Sequence, residues 1–142
     1  MANDAAPFSF PHLAARWLAA LFVVLATYNP SGKSYWHWLV DGTDDRWSLK
    51  LLIGLALLIL NLTLVLATMR SLGALGVVTA AAFFGTVIWT MWDLGFLRSL
   101  ETWTWVTIVL VTAGSILGIG VSWSYIRARM SGQLDSNDVT LR

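Results

Sequence analysis

The sequence predicts an all-α fold: an integral membrane bundle of four transmembrane helices. Three observations carry this. The chain of 142 residues is 57% hydrophobic and only 12% charged, with a mean hydropathy of +0.68, whereas soluble domains are about 25% charged. Four runs, 17–32, 51–69, 71–92 and 102–126, contain no charged residue at all. Seven of the nine tryptophans (Trp36, Trp38, Trp47, Trp89, Trp92, Trp103 and Trp105) fall near the ends of such runs. They gather at alternate ends, so threading the chain back and forth brings them to one face. Only Trp17 and Trp123 are left for the other.

A helix needs about 20 mostly apolar residues, at about 1.5 Å each, to cross ~30 Å of hydrocarbon. The first helix is expected at about 11–28. Its uncharged run is short, so it must start near Pro11 and take in Arg16, whose long side chain can snorkel to the headgroups. Asn29-Pro30-Ser31-Gly32 is a strong stop and turn signal. A cleaved signal peptide is the competing reading of this span, but no small-x-small cleavage site precedes Asn29 and the early residues carry Asp4. Residues 33–40 read as a short segment lying in the interface, with Tyr35, Trp38 and Leu39 on one face.

The second helix is expected at about 48–69, capped by Thr43 with Asp44 and Asp45 in its first turn. Arg70 sits in a very tight hairpin before the third, at about 72–92. The fourth is expected at about 100–129, capped by Ser99 with Glu101 just inside. Arg127 and Arg129 suit its C-terminus, and Ser131-Gly132 closes it. The domain reading is a single transmembrane unit, 1–130, followed by a polar tail, 131–142.

Net charge is +1, which gives no electrostatic case for nucleic acid. The absence of cysteine removes disulfides, thiolate metal sites and cysteine nucleophiles. His12 and His37 belong at opposite ends of the bundle and cannot share one haem. No phosphate-binding loop, serine-hydrolase or zinc-protease motif is present. The expectation is therefore no enzyme, no cofactor and no metal. Arg16, Arg70, Arg127, Arg129 and Arg142 lie on the side of both termini, and Lys33, Arg46, Lys50 and Arg98 on the other. The positive-inside rule then places both termini in the cytoplasm.

Each group of candidate residues has a structural reading and a functional one. The tryptophan cluster is an anchoring belt at headgroup level, or an aromatic wall for a cation, a quinone or a lipid headgroup. Trp89 and Trp92 share a stripe with Gly85, whereas Trp103 and Trp105 are about 200° apart on a helix, so one of that pair must turn away from lipid. Asp93, Arg98 and Glu101 form a polar group at the outer boundary, serving as helix caps, a loop ion pair or a small polar site. No carboxylate or histidine lies within the four uncharged runs, which disfavours a proton-coupled transporter. Asn61 shares a face with Gly54 and Leu58, opposite Thr63, and is expected to face the bundle because an unpaired amide in hydrocarbon is costly. Gly114 and Gly118 form a GxxxG extended by Ser122, with Ala81 and Gly85 a looser version, and mark close helix packing.

The stretch Ala26-Thr27-Tyr28-Asn29-Pro30-Ser31-Gly32, followed by Ser34-Tyr35-Trp36-His37-Trp38, resembles the opening of a small bacterial family of uncharacterised membrane proteins. The resemblance implies a bacterial inner-membrane setting and brings no catalytic residue with it. Small multidrug transporters are similar in size, but the glutamate their first helix needs is absent here. The expected function is an accessory or structural subunit acting through helix–helix and interface contacts. The alternatives are a small oligomeric channel or transporter with an outer aromatic vestibule, or an aromatic-walled lipid or quinone binder. Expected partners are the lipid bilayer and a second copy or a larger membrane complex.

Overall fold

A computed structural model describes residues 10–43 and 45–130. The described residues are all-helical, with four helices: α1 (Phe10–Thr27), α2 (Tyr35–Val40), α3 (Trp47–Asp93) and α4 (Thr102–Met130). Asp44 of the expected capping turn and the expected tail from residue 131 lie outside the described residues.

Pro11 sits in the first turn of α1, where its missing N–H costs nothing. The helix stops before Pro30, and the chain turns through Asn29, whose side-chain Oδ1 accepts the Ser31 N–H at 2.6 Å, and through Gly32 at φ +81°. The interfacial segment expected at 33–40 forms as α2. Its N-cap residue Ser34 is extended, but the hydroxyl bonds His37 Nδ1 at 2.7 Å rather than a backbone N–H.

α3 differs from the expected pair of helices. Residues 47–93 run as one helical stretch broken at the single residue Gly73, with φ 70° and ψ 171°. This backbone region is open essentially to glycine alone. The chain bends sharply back there, as two observations show. A Cβ built on Gly76 would lie 2.9 Å from the Cβ of Leu72, where an unbroken helix keeps such atoms about 5–6 Å apart. In addition, Thr68 reaches Leu117 on α4 while Trp92 lies against Trp105. Along a straight helix 68 and 92 would be roughly 36 Å apart, but 117 and 105 are only about 18 Å apart along α4. α3 is thus two arms, 47–72 and 74–93, joined without a loop.

Among the described residues two helices, Trp47–Asp93 and Thr102–Trp123, are long and apolar enough to cross a membrane, not the four expected. Two of the expected spans lie within α3, and the apolar part of α1, Pro11–Thr27, is a shorter helix. Two expected caps are also corrected. α3 begins after Arg46 with no side-chain cap, and Thr43 instead donates its N–H and hydroxyl to Asp41 Oδ1. α4 begins at Thr102 rather than near 100, so Ser99 is not its cap. The Glu101 carbonyl accepts the N–H groups of Thr104 and Trp105.

α4 is the axis of the packing, with α1 and α3 both laid against it. Its small residues explain how. A Cβ on Gly114 would lie 2.8 Å from Leu21 Cδ2, and one on Gly118 would lie 2.9 Å from Trp17 Cα. Here the two helix backbones are almost in contact. Gly120, about 200° round the helix from Gly118, meets Thr68 of α3 just as closely. One small-residue face of α4 therefore receives α1 and another receives the first arm of α3. Two hydrogen bonds fix the register: the Trp17 indole N–H to Ser115 Oγ at 3.1 Å, and the Thr68 hydroxyl to the Leu117 carbonyl at 3.2 Å.

Candidate functional site

The densest polar and aromatic cluster lies where α2 docks on the start of α3. Lys50 is fully buried. Its Nζ donates to the Asp41 carbonyl at 2.9 Å and sits 5.1 Å from the Trp47 ring centroid and 5.7 Å from that of Trp38. A buried cation is tolerable only with such compensation, from a carbonyl dipole at the end of α2 and from the negative faces of two indoles. Tyr35 completes the lock. Its hydroxyl donates to the Lys50 carbonyl at 2.9 Å, and its ring meets Trp38 edge-on at 6.2 Å. Tyr35 lies so close to Gly54 that any Cβ there would collide with the phenol oxygen.

Beside this lock runs a cleft of about 750 Å³ between α1, the following turn, α2 and the first arm of α3. Phe22, Ala26, Ile53 and Leu57 give it apolar walls. Lys33, Ser34, His37 and Asp41 also line it, with Tyr35 and Trp38. His37 is held by Ser34 on one edge and stacks on Tyr28, with ring centroids 5.6 Å apart and planes 21° off parallel.

Of the seven tryptophans expected on one face, Trp38 and Trp47 share the Lys50 site, while Trp36 is exposed on the outer side of α2. Trp92 and Trp105 meet with ring centroids 5.4 Å apart. Trp105 is half-buried and Trp103 exposed, so that pair does part company. Trp89 is exposed. Arg98 turns its guanidinium to the backbone carbonyls of Trp92 and Asp93, 3.3 and 3.0 Å away, closing the end of α3. The Trp103 indole N–H donates to the Glu101 carboxylate. Asp93, Arg98 and Glu101 thus serve helix ends separately, and the side chain of Asp93 is exposed.

Asn61 points at α1: its amide nitrogen donates to Thr27 Oγ1 at 3.0 Å and to the Leu57 carbonyl at 2.8 Å. Gly114 and Gly118 lie in the contact with α1. Gly85 does not take part in packing: a Cβ there meets open space, because its face of the second arm looks outward. Sequence reasoning missed the Lys50 lock. One signal was present, since Lys50, Gly54, Leu57 and Asn61 repeat at helical spacing on one stripe, but nothing in the sequence said that α2 would fold onto it.

No curated protein matches this chain, and no solved structure does. A family model described as a family of unknown function, DUF6524, matches residues 11–141, nearly the whole chain, and the chain belongs to that family.

Proposed function

We propose that this is an integral protein of the bacterial inner membrane, acting as an accessory or structural subunit through helix–helix and interface contacts. In this reading α1, the two arms of α3 and α4 each cross the bilayer, α2 lies at the outer interface, and both termini are cytoplasmic. The protein performs no chemistry of its own.

The observation that carries the proposal is the apolar surface. Only 6% of the most apolar window of α3 is buried, and large side chains such as Leu75, Val78, Phe83 and Trp89 are exposed. Water would not tolerate so continuous an apolar exterior, but hydrocarbon would. The threonines agree. The hydroxyls of Thr63, Thr79, Thr86, Thr90 and Thr107 each donate to the carbonyl one turn back, so none of these five needs a partner in lipid. The same local satisfaction, with Asn61 bonded to Thr27 and Leu57, supports an accessory protein over a channel. A pore needs polar side chains free to line a continuous path.

The chain has no cysteine, so single cysteines report topology cleanly. Ser31→Cys and Ser99→Cys should be labelled by an impermeant maleimide from one side of the membrane and Arg70→Cys only from the other. The protein should also stay with the membrane in alkaline carbonate. Release into the supernatant, or labelling of all three from one side, would refute the four-crossing reading. Purification from native membranes should then bring down a reproducible partner complex; a lone oligomer that conducts ions in liposomes would favour the channel.

A further inference from the structure

The polar groups lining the cleft beside α2 divide into those already engaged and those still open. The Asp41 carboxylate accepts the N–H and hydroxyl of Thr43, and the Asp41 carbonyl takes Lys50 Nζ. The Tyr35 hydroxyl donates to the Lys50 carbonyl, and the Trp38 ring lies against Tyr35 and Lys50. Lys33 is exposed and has no hydrogen-bond or ion-pair partner among the described residues. His37 is the less obvious case. Ser34 is only 5% exposed, and among the described residues its hydroxyl bonds one neighbour, His37 Nδ1. A buried O–H without an acceptor is costly, so Ser34 donates and the ring proton sits on Nε2. That N–H has no partner among the described residues. The cleft thus keeps two open donors, one of them a full positive charge. Lys50, bonded at Asp41, offsets that carboxylate, so the charge left over is Lys33.

The other walls, Phe22, Ala26, Ile53 and Leu57, are apolar. Phe22 and Ile53 are also exposed, so the cleft is open to the apolar exterior of α1 and α3. A free inorganic anion would meet the donors and leave these walls uncovered. A hydrocarbon would cover the walls and leave both donors unmet. We infer that the cleft holds one anionic phospholipid, whose phosphodiester oxygens accept from Lys33 Nζ and His37 Nε2 while an acyl chain covers the apolar walls. A phosphodiester carries a negative charge and a pair of unesterified oxygens, so one group answers both donors. Bonds between ionised groups are also about twice as strong as neutral ones. A volume of about 750 Å³ takes the headgroup and the upper part of one chain, the rest running out into the bilayer. The α2 wall is formed in advance: Lys50 holds the Asp41 carbonyl, and Tyr35 holds Lys50. Preorganisation of this kind reduces the ordering cost of binding.

The inference rests on the membrane reading above, and the carbonate extraction separates the two. Release from the membrane would sink that reading, whereas retention without lipid selectivity would sink only this one. The full chain in neutral detergent is titrated with phosphatidylglycerol and phosphatidylcholine of the same acyl composition, and bound lipid is read by native mass spectrometry. One phosphatidylglycerol per chain should be retained on the order of tenfold more strongly than phosphatidylcholine. Lys33→Gln, exposed and outside any helix, should remove most of that preference. His37→Phe keeps a ring beside Tyr28 but has no N–H, and should lower it about threefold. Arg70→Gln removes an exposed cation at the far end of the first arm and should leave the preference unchanged. An excess of soluble glycerol phosphate, which has no acyl chain, should not displace the lipid. Equal retention of the two lipids, full preference in Lys33→Gln or in a folded His37→Phe, or an equal loss in Arg70→Gln would each overturn the inference. Displacement by glycerol phosphate would overturn it as well, marking a site for free phosphate. If His37→Phe loses helical content, Lys33→Gln still decides.

Discussion

Lys50 shows how one residue can organise the junction of two helices. Its stem is buried along α3 while its Nζ reaches the carbonyl of Asp41, the residue that caps α2, near two indoles. Lys50→Met keeps the stem and removes the donor. The expected loss is about 1–3 kcal/mol, the usual penalty when a buried hydrogen-bonding group loses its partner. Hydrogen exchange should show it as faster exchange confined to α2, and unchanged protection there would refute the lock. Asn61 is a smaller case. It uses both amide hydrogens within the bundle, yet polar contacts inside membranes are worth only about 0.6–2 kcal/mol. Asn61→Leu should therefore lower thermal stability modestly in detergent and in lipid. No change in either would mean the bond to Thr27 contributes nothing.

At the scale of elements, glycine has two separate meanings in this chain. At Gly73 it supplies a backbone conformation. The φ of 70° and ψ of 171° would strain any other residue, although a Cβ there meets no atom within 4 Å. Gly73→Ala should cost about 1–3 kcal/mol through backbone strain alone. Gly85→Ala is the control. That site is helical and open, so the change should be neutral or stabilising by about 0.5–1 kcal/mol. Comparing the two melting temperatures tests the bend, and equal effects would contradict it. At Gly118 glycine supplies proximity, because Trp17 Cα would stand 2.9 Å from an added Cβ and a backbone atom cannot swing aside. Gly118→Leu should push α1 off α4 and break the Trp17–Ser115 hydrogen bond. Thermal stability should fall, and wild-type stability would argue against the contact.

On the scale of the whole molecule, buried hydrophobic residues are few and exposed ones are many. Among the described residues only Ala20 and Val23 are buried hydrophobics. The fold is therefore held by close backbone contacts and a few polar bonds, with its apolar exterior matched to its surroundings. A single charge on that exterior discriminates between solvents. Phe83 lies mid-way along the second arm and is exposed. In water Phe83→Lys would be harmless or helpful. In a bilayer it should cost about 2.5–3.5 kcal/mol of insertion free energy, read as a fall in the membrane-inserted fraction. Full insertion of that variant would count against the second arm crossing the membrane.

The helical class and the approximate ends of the helices were legible in the residues. Charge-free runs longer than about 18 residues leave few alternatives to long helices, because unpaired backbone groups are costly in an apolar setting. The GxxxG, the inward Asn61 and the divergence of Trp103 from Trp105 were legible too, since each follows from helical periodicity. The Thr43 and Ser99 caps were misjudged because cap residues are common in turns, and only three-dimensional geometry shows where a hydroxyl points. The Lys50 lock and the cleft were hidden for a different reason. They depend on a six-residue helix folding back across an intervening turn, a contact between segments that periodicity within either one does not encode.

By itself, the sequence determined that this chain is helical, apolar and organised around charge-free runs, because hydropathy and helical spacing are local properties. The tertiary structure alone decided that two of those runs join at Gly73 without a loop, and that α4 carries two packing faces. It also decided that α2 folds onto a buried lysine and lines a cleft. These are consequences of which surfaces meet, and meeting is fixed by packing across the whole chain.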